Sequence, residues 1–467
     1  MESMKEMKSS KVIDLFTNPF YIKCIWVIIG LLTAVPIVRI HIEHFIKIIL
    51  IWGLLVLVYL FFTKKLNLKK IEMVLLILFS VSYAVTIVLN FGKHTGEEIS
   101  LFMYTVTFFF LLTWCDRDKK PEQIRKEVLC LFKIIAWVTF TFATICLVMY
   151  FASVQSEIII EKSIFPVGMW EGRLWGIYNP NTGAVLNYIS MIVIVLILQW
   201  EKKSKKLKIL YWTNFGIQTC CFVLTQSRGA TVALYVFLVL YIIFVRKNKF
   251  SFKGIKDKGY RLILAIVTIV LLNVGYDLAL SGLQIVKEVP YRIVYTLSGE
   301  KDTEQKLKEK DQLAKREVDK SNAASETSGR SDLWKLGIEA FSENPVFGIG
   351  NQSIDDVLKE GLSKKWYDNS ARGGLHNIYI TVLVSAGALG TLFLFAYWAV
   401  ILLKGLKYEL SAKSDRFGQQ LLVFIPAWLA GDLVESRIVL STGFLAIVFW
   451  IVIGYSMYFL GRKTGEK

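Results

Sequence analysis

The feature that most constrains this chain is a succession of long apolar segments separated by polar ones. A helix needs about 20 mostly apolar residues to cross the roughly 30 Å hydrocarbon core of a bilayer. Of the 467 residues, 54% are hydrophobic and only 20% are charged. The sequence therefore predicts an all-α integral membrane protein with about twelve transmembrane helices, and it excludes a soluble enzyme.

Lysine and arginine are distributed unevenly between these apolar segments. The predicted spans are 20–38, 46–62, 71–90, 99–114, 128–151, 182–200, 209–225, 229–245, 262–281, 375–403, 418–434 and 440–460. With a cytoplasmic N-terminus, the seven inner segments contain 31 lysines and arginines, whereas the five short outer segments contain 6. Because positive residues are retained on the cytoplasmic side, both termini are predicted to be cytoplasmic. The same bias accounts for the net charge of +17, so membrane lipid is a predicted partner and nucleic acid is not.

One long polar segment interrupts the pattern of short connections. The predicted regions are 1–281 with nine helices, 282–374 as a large extracytoplasmic loop, and 375–467 with three helices and a short cytoplasmic tail. Within the loop, residues 300–328 are charged and poor in large apolar side chains, which predicts solvated helix or disorder. Residues 328–341 carry apolar side chains at helical spacing. They predict an amphipathic helix that lies on the membrane surface or packs over the end of the bundle.

Three ionisable residues stand at predicted outer ends of helices. Arg228 lies between two spans with almost no loop around it, against the positive-inside bias. Arg330 opens the amphipathic helix, and His376 begins the span after the large loop. A snorkelling arginine and an interfacial histidine are the structural alternatives. Taken together, two guanidinium groups and an imidazole predict a site for a diphosphate at the level of the lipid headgroups.

These residue types suit a reaction in which a diphosphate leaves. The planar guanidinium group of arginine binds phosphate oxygens in pairs and keeps its charge, and it stabilises the negative charge that develops as a bond to phosphate breaks. An imidazole at the same place can deprotonate or orient an acceptor hydroxyl. The six cysteines lie within or at the ends of spans and show no metal-ligand spacing. No metal and no cofactor are therefore predicted.

Several short blocks resemble the O-antigen ligase and Wzy-type polysaccharide polymerase superfamily, which comprises bacterial membrane glycosyltransferases of the GT-C type. The blocks are Tyr178-Asn-Pro-Asn-Thr-Gly183, Leu224-Thr-Gln-Ser-Arg-Gly-Ala230, Gly329-Arg-Ser-Asp-Leu-Trp334, Asn344-Pro-Val-Phe-Gly-Ile-Gly350, and His376-Asn-Ile-Tyr379 followed by Ser385-Ala-Gly-Ala-Leu-Gly390. They cover roughly residues 170–400 around one large outer loop, as in the family. Each block is short, so their order and spacing carry the resemblance.

The resemblance implies both the reaction and the roles of individual residues. The family transfers a glycan from undecaprenyl diphosphate to a sugar hydroxyl at the outer leaflet, with inversion at the anomeric carbon and without a metal. By position, Arg228 and Arg330 become diphosphate ligands, and His376 activates or positions the acceptor. The further predicted substrate-binding residues are Arg173, Asn181, Asn377, and either Asp432 or Glu435, between which the sequence does not decide.

The resemblance leaves a choice of activity open. We favour a polymerase, because polymerases are the more numerous group, over an O-antigen ligase that transfers the glycan to another glycolipid or a protein. A polytopic transporter or flippase also fits twelve spans, but the chain shows no internal repeat and its largest loop follows the ninth span. The expected location is the plasma membrane of a bacterial cell, with the active site on the extracytoplasmic side. Other polysaccharide assembly proteins are further candidate partners.

Overall fold

The computed structural model describes residues 16–63, 70–160, 163–245, 255–298, 330–364, 367, 374–411 and 414–461. Its helices are α1 (Pro19–Thr33), α2 (Pro36–Phe62), α3 (Ile71–Leu89), α4 (Thr95–Thr107), α5 (Pro121–Phe151), α6 (Pro180–Trp200), α7 (Lys205–Thr225), α8 (Arg228–Leu240), α9 (Ile255–Ser298), α10 (Arg330–Glu343), α11 (Ser353–Gly361), α12 (Ile378–Glu409), α13 (Arg416–Gly431) and α14 (Phe444–Gly461). Short π-helical turns continue α4 through Phe108–Leu112 and α8 through Tyr241–Val245. The predicted charged segment 300–328 lies outside the described residues.

Ten helices of the described residues are long and apolar enough to cross a membrane. The predicted predominance of helix and the membrane-spanning character are therefore confirmed. Two of the twelve predicted spans do not meet this criterion. Helix α1 has only 15 residues, and α7 has the length but begins with three lysines within four residues and contains Asn214 and Gln218. The count of twelve, and the side on which each terminus lies, stay predictions.

The first two predicted spans have the wrong boundary. The hydropathy pattern predicts an outer segment between residues 38 and 46, but α2 begins at Pro36 and runs without a break to Phe62. Proline lacks a backbone N–H and is tolerated in the first turn of a helix, where that N–H has no intrahelical acceptor. Pro36 therefore ends α1 and starts α2, and the polar residues that follow it lie on the helix.

A small antiparallel sheet, which the sequence analysis did not predict, occupies the segment between α5 and α6. Its strands are β1 (Gln155–Ile160), β2 (Ser163–Trp170) and β3 (Arg173–Gly176), in the order β1-β2-β3. The turn between β2 and β3 uses Glu171 and Gly172, both with positive φ. Gly176 packs so closely on α5 that a Cβ would come within 2.3 Å of Cys146 Sγ. This contact fixes β3, and with it Arg173, against the bundle.

The core of the bundle surrounds α14, which packs against α1 and α13 and is buried over most of its length. At its centre the rings of Trp450 and Phe109 lie 4.4 Å apart. Helix α9, in contrast, is exposed along nearly all of its apolar length, as expected for a helix that faces lipid. It also extends to Ser298, beyond the predicted end of its span at residue 281.

The predicted amphipathic helix is present as α10, and it packs over the end of the bundle. Leu333 and Ala340 are buried, and a Cβ on Gly337 would lie 2.9 Å from the Leu375 side chain. Trp334 Nε1 donates a hydrogen bond to the Leu375 carbonyl at 2.9 Å. The apolar face of α10 is therefore covered by the residues that lead into α12.

A break in α12 receives residues 345–350 of the large loop. At Gly387 the backbone has φ 67° and ψ −175°, which interrupts the helix. Four N–H groups cross between helix and loop at 2.8–3.2 Å: Ile349 and Gly350 donate to Val384 and Ser385, and Ala388 and Leu389 donate to Pro345 and Val346. The loop thus supplies the partners that the helix backbone loses at the break.

Side chains of α3 and α4 hold the same loop segment from the other side. Asn90 Nδ2 donates to the Gly348 carbonyl at 3.0 Å. The buried Glu98 carboxylate accepts hydrogen bonds from the Tyr83 hydroxyl and from the Gln352 backbone N–H, both at 2.6 Å. The large loop is therefore fixed to the bundle on the C-terminal side of α10.

We expect Gly387→Ala to loosen this attachment. A Cβ at Gly387 would meet the Val346 carbonyl oxygen at 2.3 Å, and the positive φ disfavours any L side chain. The variant should lose about 1–3 kcal/mol of stability, measured as a lower thermal midpoint in detergent, and its loop should be cleaved faster by protease. Gly275→Ala is the matched control, because that glycine faces open space. Equal protease resistance of the Gly387 variant and the wild type would contradict this account.

Candidate active site

Segments that are far apart in sequence meet at one end of the bundle. They are β3, the start of α6, the junction of α7 and α8, the start of α10, the start of α12, and the residues that follow α13. Local sequence fixes several of these points. Asn179 caps α6 by accepting the Asn181 N–H at 2.9 Å, and Gln226 ends α7 in the left-handed conformation with φ 48°. The chain therefore turns sharply into α8 at Ser227 and Arg228.

Glu435 lies at the centre of these segments. It follows the 3-10 turn Asp432–Val434 in an extended conformation and is only 8% exposed. Its Oε1 accepts a hydrogen bond from Asn181 Nδ2 at 2.9 Å and lies 3.3 Å from Arg330 Nη2. Its Oε2 lies 3.3 Å from His376 Nδ1. One carboxylate thus contacts side chains from α6, from α10 and from the residues just before α12.

The charge state of Glu435 determines which ring nitrogen of His376 carries the hydrogen. Burial by itself raises the pKa of Glu435, but His376, Arg437 and Arg330 outweigh it and lower the pKa to about 2. An ionised carboxylate only accepts hydrogen bonds, so the hydrogen in the contact with His376 belongs to Nδ1. In the neutral ring, Nε2 is then left as an acceptor. The pair therefore places a proton-accepting nitrogen at the helix end.

Arg173 and Asn181 form a second part of the same network. Arg173 Nη2 donates to Asn181 Oδ1 at 2.8 Å, and its Nε donates to the Thr225 carbonyl at 2.8 Å. Ser227 Oγ also donates to Asn181 Oδ1, at 3.0 Å. Asn181 therefore connects Arg173 and the α7–α8 junction to Glu435, and both predicted weaker candidates lie within the site.

Arg228 is the first residue of α8, directly after Ser227, and its side chain is exposed. Its charge acts on Arg330. Burial lowers the pKa of Arg330, Glu435 raises it, and the nearby charges of Arg228 and Arg437 lower it further. The two arginines predicted as diphosphate ligands are therefore close enough for their charges to interact.

The structure distinguishes the two acidic candidates. Glu435 contacts the predicted residues, whereas the fully buried Asp432 accepts hydrogen bonds from the Arg437 and Ile438 backbone N–H groups at 2.8 and 3.1 Å. Asp432 also accepts the Arg437 Nε–H at 3.2 Å. The Nη1 of Arg437 is buried without a hydrogen-bond partner among the described residues. Asp432 therefore supports the segment that carries Glu435 and Arg437.

Arg437 is a site residue that the sequence analysis missed. Its signal was present in the sequence, because it is the one basic residue of the last predicted outer segment and lies two residues after Glu435. Asn377, a predicted substrate-binding residue, caps a helix. Its side-chain oxygen accepts the N–H groups of Tyr379 and Ile380 at 3.0 and 3.1 Å, so it caps α12. Its predicted substrate contact stays a prediction.

The site carries an excess of positive charge. Arg330 contacts Glu435 and Arg437 contacts Asp432. Arg173 is linked to Glu435 through Asn181, and Arg228 is close enough to Arg330 to lower its pKa. Among the described residues, no group of three or more His, Cys, Asp or Glu side chains is arranged to hold a metal. The cluster can therefore bind a dianion through guanidinium groups and offer it a neighbouring imidazole.

Comparison with known proteins places this site in a family context. Residues 213–395 match the family model described as O-antigen ligase. This similarity covers fewer than half of the residues of the chain. Over 116 residues it is also 30% identical to the exopolysaccharide production protein ExoQ of Rhizobium meliloti (strain 1021), a match that covers 23% of this chain and 27% of that relative. The chain thus spans about a quarter of the length of the curated relative it matches.

The matched range contains the three predicted catalytic residues, Arg228, Arg330 and His376, as well as Asn377 and the large loop between α9 and α12. The resemblance to the O-antigen ligase and polymerase family is confirmed. With ten apolar helices of spanning length among the described residues, the protein is a multi-pass membrane protein. Arg173, Asn181, Glu435 and Arg437 lie outside the matched range and join the site through the fold.

We expect Glu435→Gln to destabilise the protein in a pH-dependent way. The pKa of Glu435 lies at about 2 instead of its ordinary 4.5, so the ionised group stabilises the fold above about pH 4.5, and this contribution is lost as the pH falls toward 2. At neutral pH the variant should be less stable by about 3 kcal/mol, and the difference should shrink in acid. Thermal unfolding in detergent across this range checks it, with the exposed Glu339→Gln as control. A difference that does not change with pH would contradict the assignment.

Proposed function

We propose that this protein is a polysaccharide polymerase that transfers a growing glycan from undecaprenyl diphosphate to a sugar hydroxyl of a lipid-linked repeat unit. The observation that carries the proposal is the arginine cluster around Glu435 and His376 in a chain that matches the O-antigen ligase family model. Its four guanidinium groups exceed its two carboxylates by two positive charges. That excess equals the charge of a diphosphate esterified at both ends.

Arg228 and Arg330 are the proposed diphosphate ligands. Arg228 is the first residue of α8, Arg330 is the first described residue of α10, and the charge of Arg228 lowers the pKa of Arg330. As the bond between the anomeric carbon and the diphosphate oxygen breaks, its electron pair stays on the diphosphate. Guanidinium groups stabilise this developing charge more than they stabilise the ground state. The reaction then needs no metal, in line with the mechanism that the family resemblance implies.

His376 is the proposed proton acceptor. The acceptor sugar oxygen attacks the anomeric carbon from the side opposite the diphosphate, which inverts that carbon, and the hydroxyl proton passes to His376 Nε2. Glu435 holds Nδ1–H at 3.3 Å and stabilises the imidazolium that forms, as a carboxylate does in a catalytic triad. Glu435 itself, with a pKa of about 2, is a poor base at neutral pH.

Chain growth is favoured over ligation by the similarity to a protein of exopolysaccharide production. The family description, O-antigen ligase, supports the alternative of a single transfer to another glycolipid or a protein. In either case we place the site on the extracytoplasmic side of a bacterial plasma membrane. There the lipid-linked oligosaccharide and the membrane lipid are its partners, and other polysaccharide assembly proteins are candidates.

Reconstitution tests the proposed activity. Purified protein in liposomes is incubated with its lipid-linked repeat unit and a metal chelator, and the glycans are separated on a gel. A ladder of multiples of the repeat establishes the polymerase. A single transfer to an added acceptor glycolipid, without a ladder, establishes the ligase. If neither acceptor gives a product but the lipid-linked substrate is moved across the membrane, the protein is a transporter and not a glycosyltransferase.

We expect Arg330→Ala and His376→Ala each to reduce transfer by about a hundredfold or more, because each removes a group from the reacting centre. Arg228→Ala should act in the same direction. The matched control is Lys335→Ala, which removes an exposed charge from the same helix as Arg330. Rates are measured by the ladder assay, and the thermal midpoint shows that each variant is folded. Full transfer activity in all three folded variants would show that these residues do not form the active site.

A further inference from the structure

The cations proposed to bind the diphosphate are already in contact with an anion. Arg330 Nη2 lies 3.3 Å from Glu435 Oε1, and His376 Nδ1 lies 3.3 Å from Glu435 Oε2. The Glu435 side chain is 11% exposed, that of Arg330 is 22% and that of His376 is 20%. A phosphate group that binds to Arg330 and His376 therefore meets a site in which the Glu435 carboxylate already contacts both of these side chains.

The two oxygens of Glu435 have different partners. Oε2 contacts His376, which the proposed mechanism uses as base. Oε1 contacts Arg330 and also accepts from Asn181 Nδ2 at 2.9 Å, while Asn181 Oδ1 accepts from Arg173. Glu435 Oε2 therefore orients His376, whereas Glu435 Oε1 occupies the position next to Arg330 that a phosphate oxygen would take. A phosphate oxygen can take the place of Oε1 at Arg330 without breaking the contact at Oε2.

The charge of Glu435 opposes that of a bound diphosphate. Two like charges a few ångströms apart in a partly buried site repel strongly, since solvent screens them poorly. A carboxylate also has no hydrogen to donate to a phosphate oxygen. Glu435 therefore weakens the binding of any diphosphate to Arg330, both of the donor and of the lipid diphosphate that is released, which carries more negative charge than the donor. Weak binding of a product favours turnover when its release is slow.

We propose that Glu435 is a built-in competitor for the diphosphate, and that its Oε1 returns to Arg330 when the lipid diphosphate leaves. This inference rests on the proposed function, because it takes a lipid diphosphate as the ligand. It assigns Glu435 two tasks, orientation of His376 and release of the product. It also predicts that removing a negative charge from the site tightens diphosphate binding while transfer becomes slower.

The test measures binding apart from chemistry. Undecaprenyl diphosphate without a glycan is titrated into the detergent-solubilised full-length protein, and the affinities of wild type, Glu435→Gln and Glu435→Asp are compared. We expect Glu435→Gln to bind about tenfold tighter, and Glu435→Asp, which keeps the charge, to gain less affinity than Glu435→Gln. Glu339→Gln removes an exposed charge on α10 and controls for long-range effects. Arg330→Ala controls for the site and should bind more weakly.

If Glu435→Gln is too unstable alone, it is purified with the lipid diphosphate, and the rise in thermal midpoint on adding the ligand is compared with that of the wild type. A larger rise in the thermal midpoint of the variant supports the proposal that Glu435 competes with the diphosphate, because tighter binding stabilises the folded state more. Equal or weaker binding of Glu435→Gln, with Arg330→Ala still impaired, would overturn the inference and leave the proposed function in place. No binding by the wild type would overturn the proposed donor, and the inference with it.

Discussion

The carboxylate of Glu435 is the contact on which the site depends. Asn181, which is 254 residues away in the chain, Arg330, which is 105 residues away, and His376, which is 59 residues away, all contact it. A buried carboxylate without partners is costly, and so is a buried guanidinium without an anion. Each group therefore needs the others, and the end of the bundle assembles as one unit.

This unit requires that α10 stays docked, because α10 supplies Arg330. The docking comes from a defect in a neighbouring helix: Gly387 breaks α12, and residues 345–350 fill the break with backbone hydrogen bonds. Backbone pairs leave little freedom of register, since a shift by one residue would misplace every donor. The apolar face of α10 adds the packing, with Leu333 at 1% exposure. The break in α12 at Gly387 thus helps to position Arg330 in the site.

The sequence predicted the parts of this structure that depend on local pattern. Apolar length predicted the membrane helices, and helical spacing predicted α10, because both follow from one stretch of chain. The sheet at Arg173 was missed, since its short strands lie between long apolar runs and carry no clear alternation. The choice between Asp432 and Glu435 depends on which side chain faces Asn181 and which faces Arg437. Such a choice is made by tertiary contacts between segments more than 200 residues apart, which no local pattern encodes.

The distribution of positive charge connects the topology to the site. The short segments predicted to lie outside contain only 6 lysines and arginines, as the positive-inside bias requires. Three of these, Arg173, Arg228 and Arg437, lie in the cluster around Glu435, and Arg330 of the large loop joins them. An arginine that opposes the insertion bias and repels its neighbours has a cost in folding. Asp432 and Glu435 offset only part of the repulsion, so the remaining positive charge supports the proposed dianionic ligand.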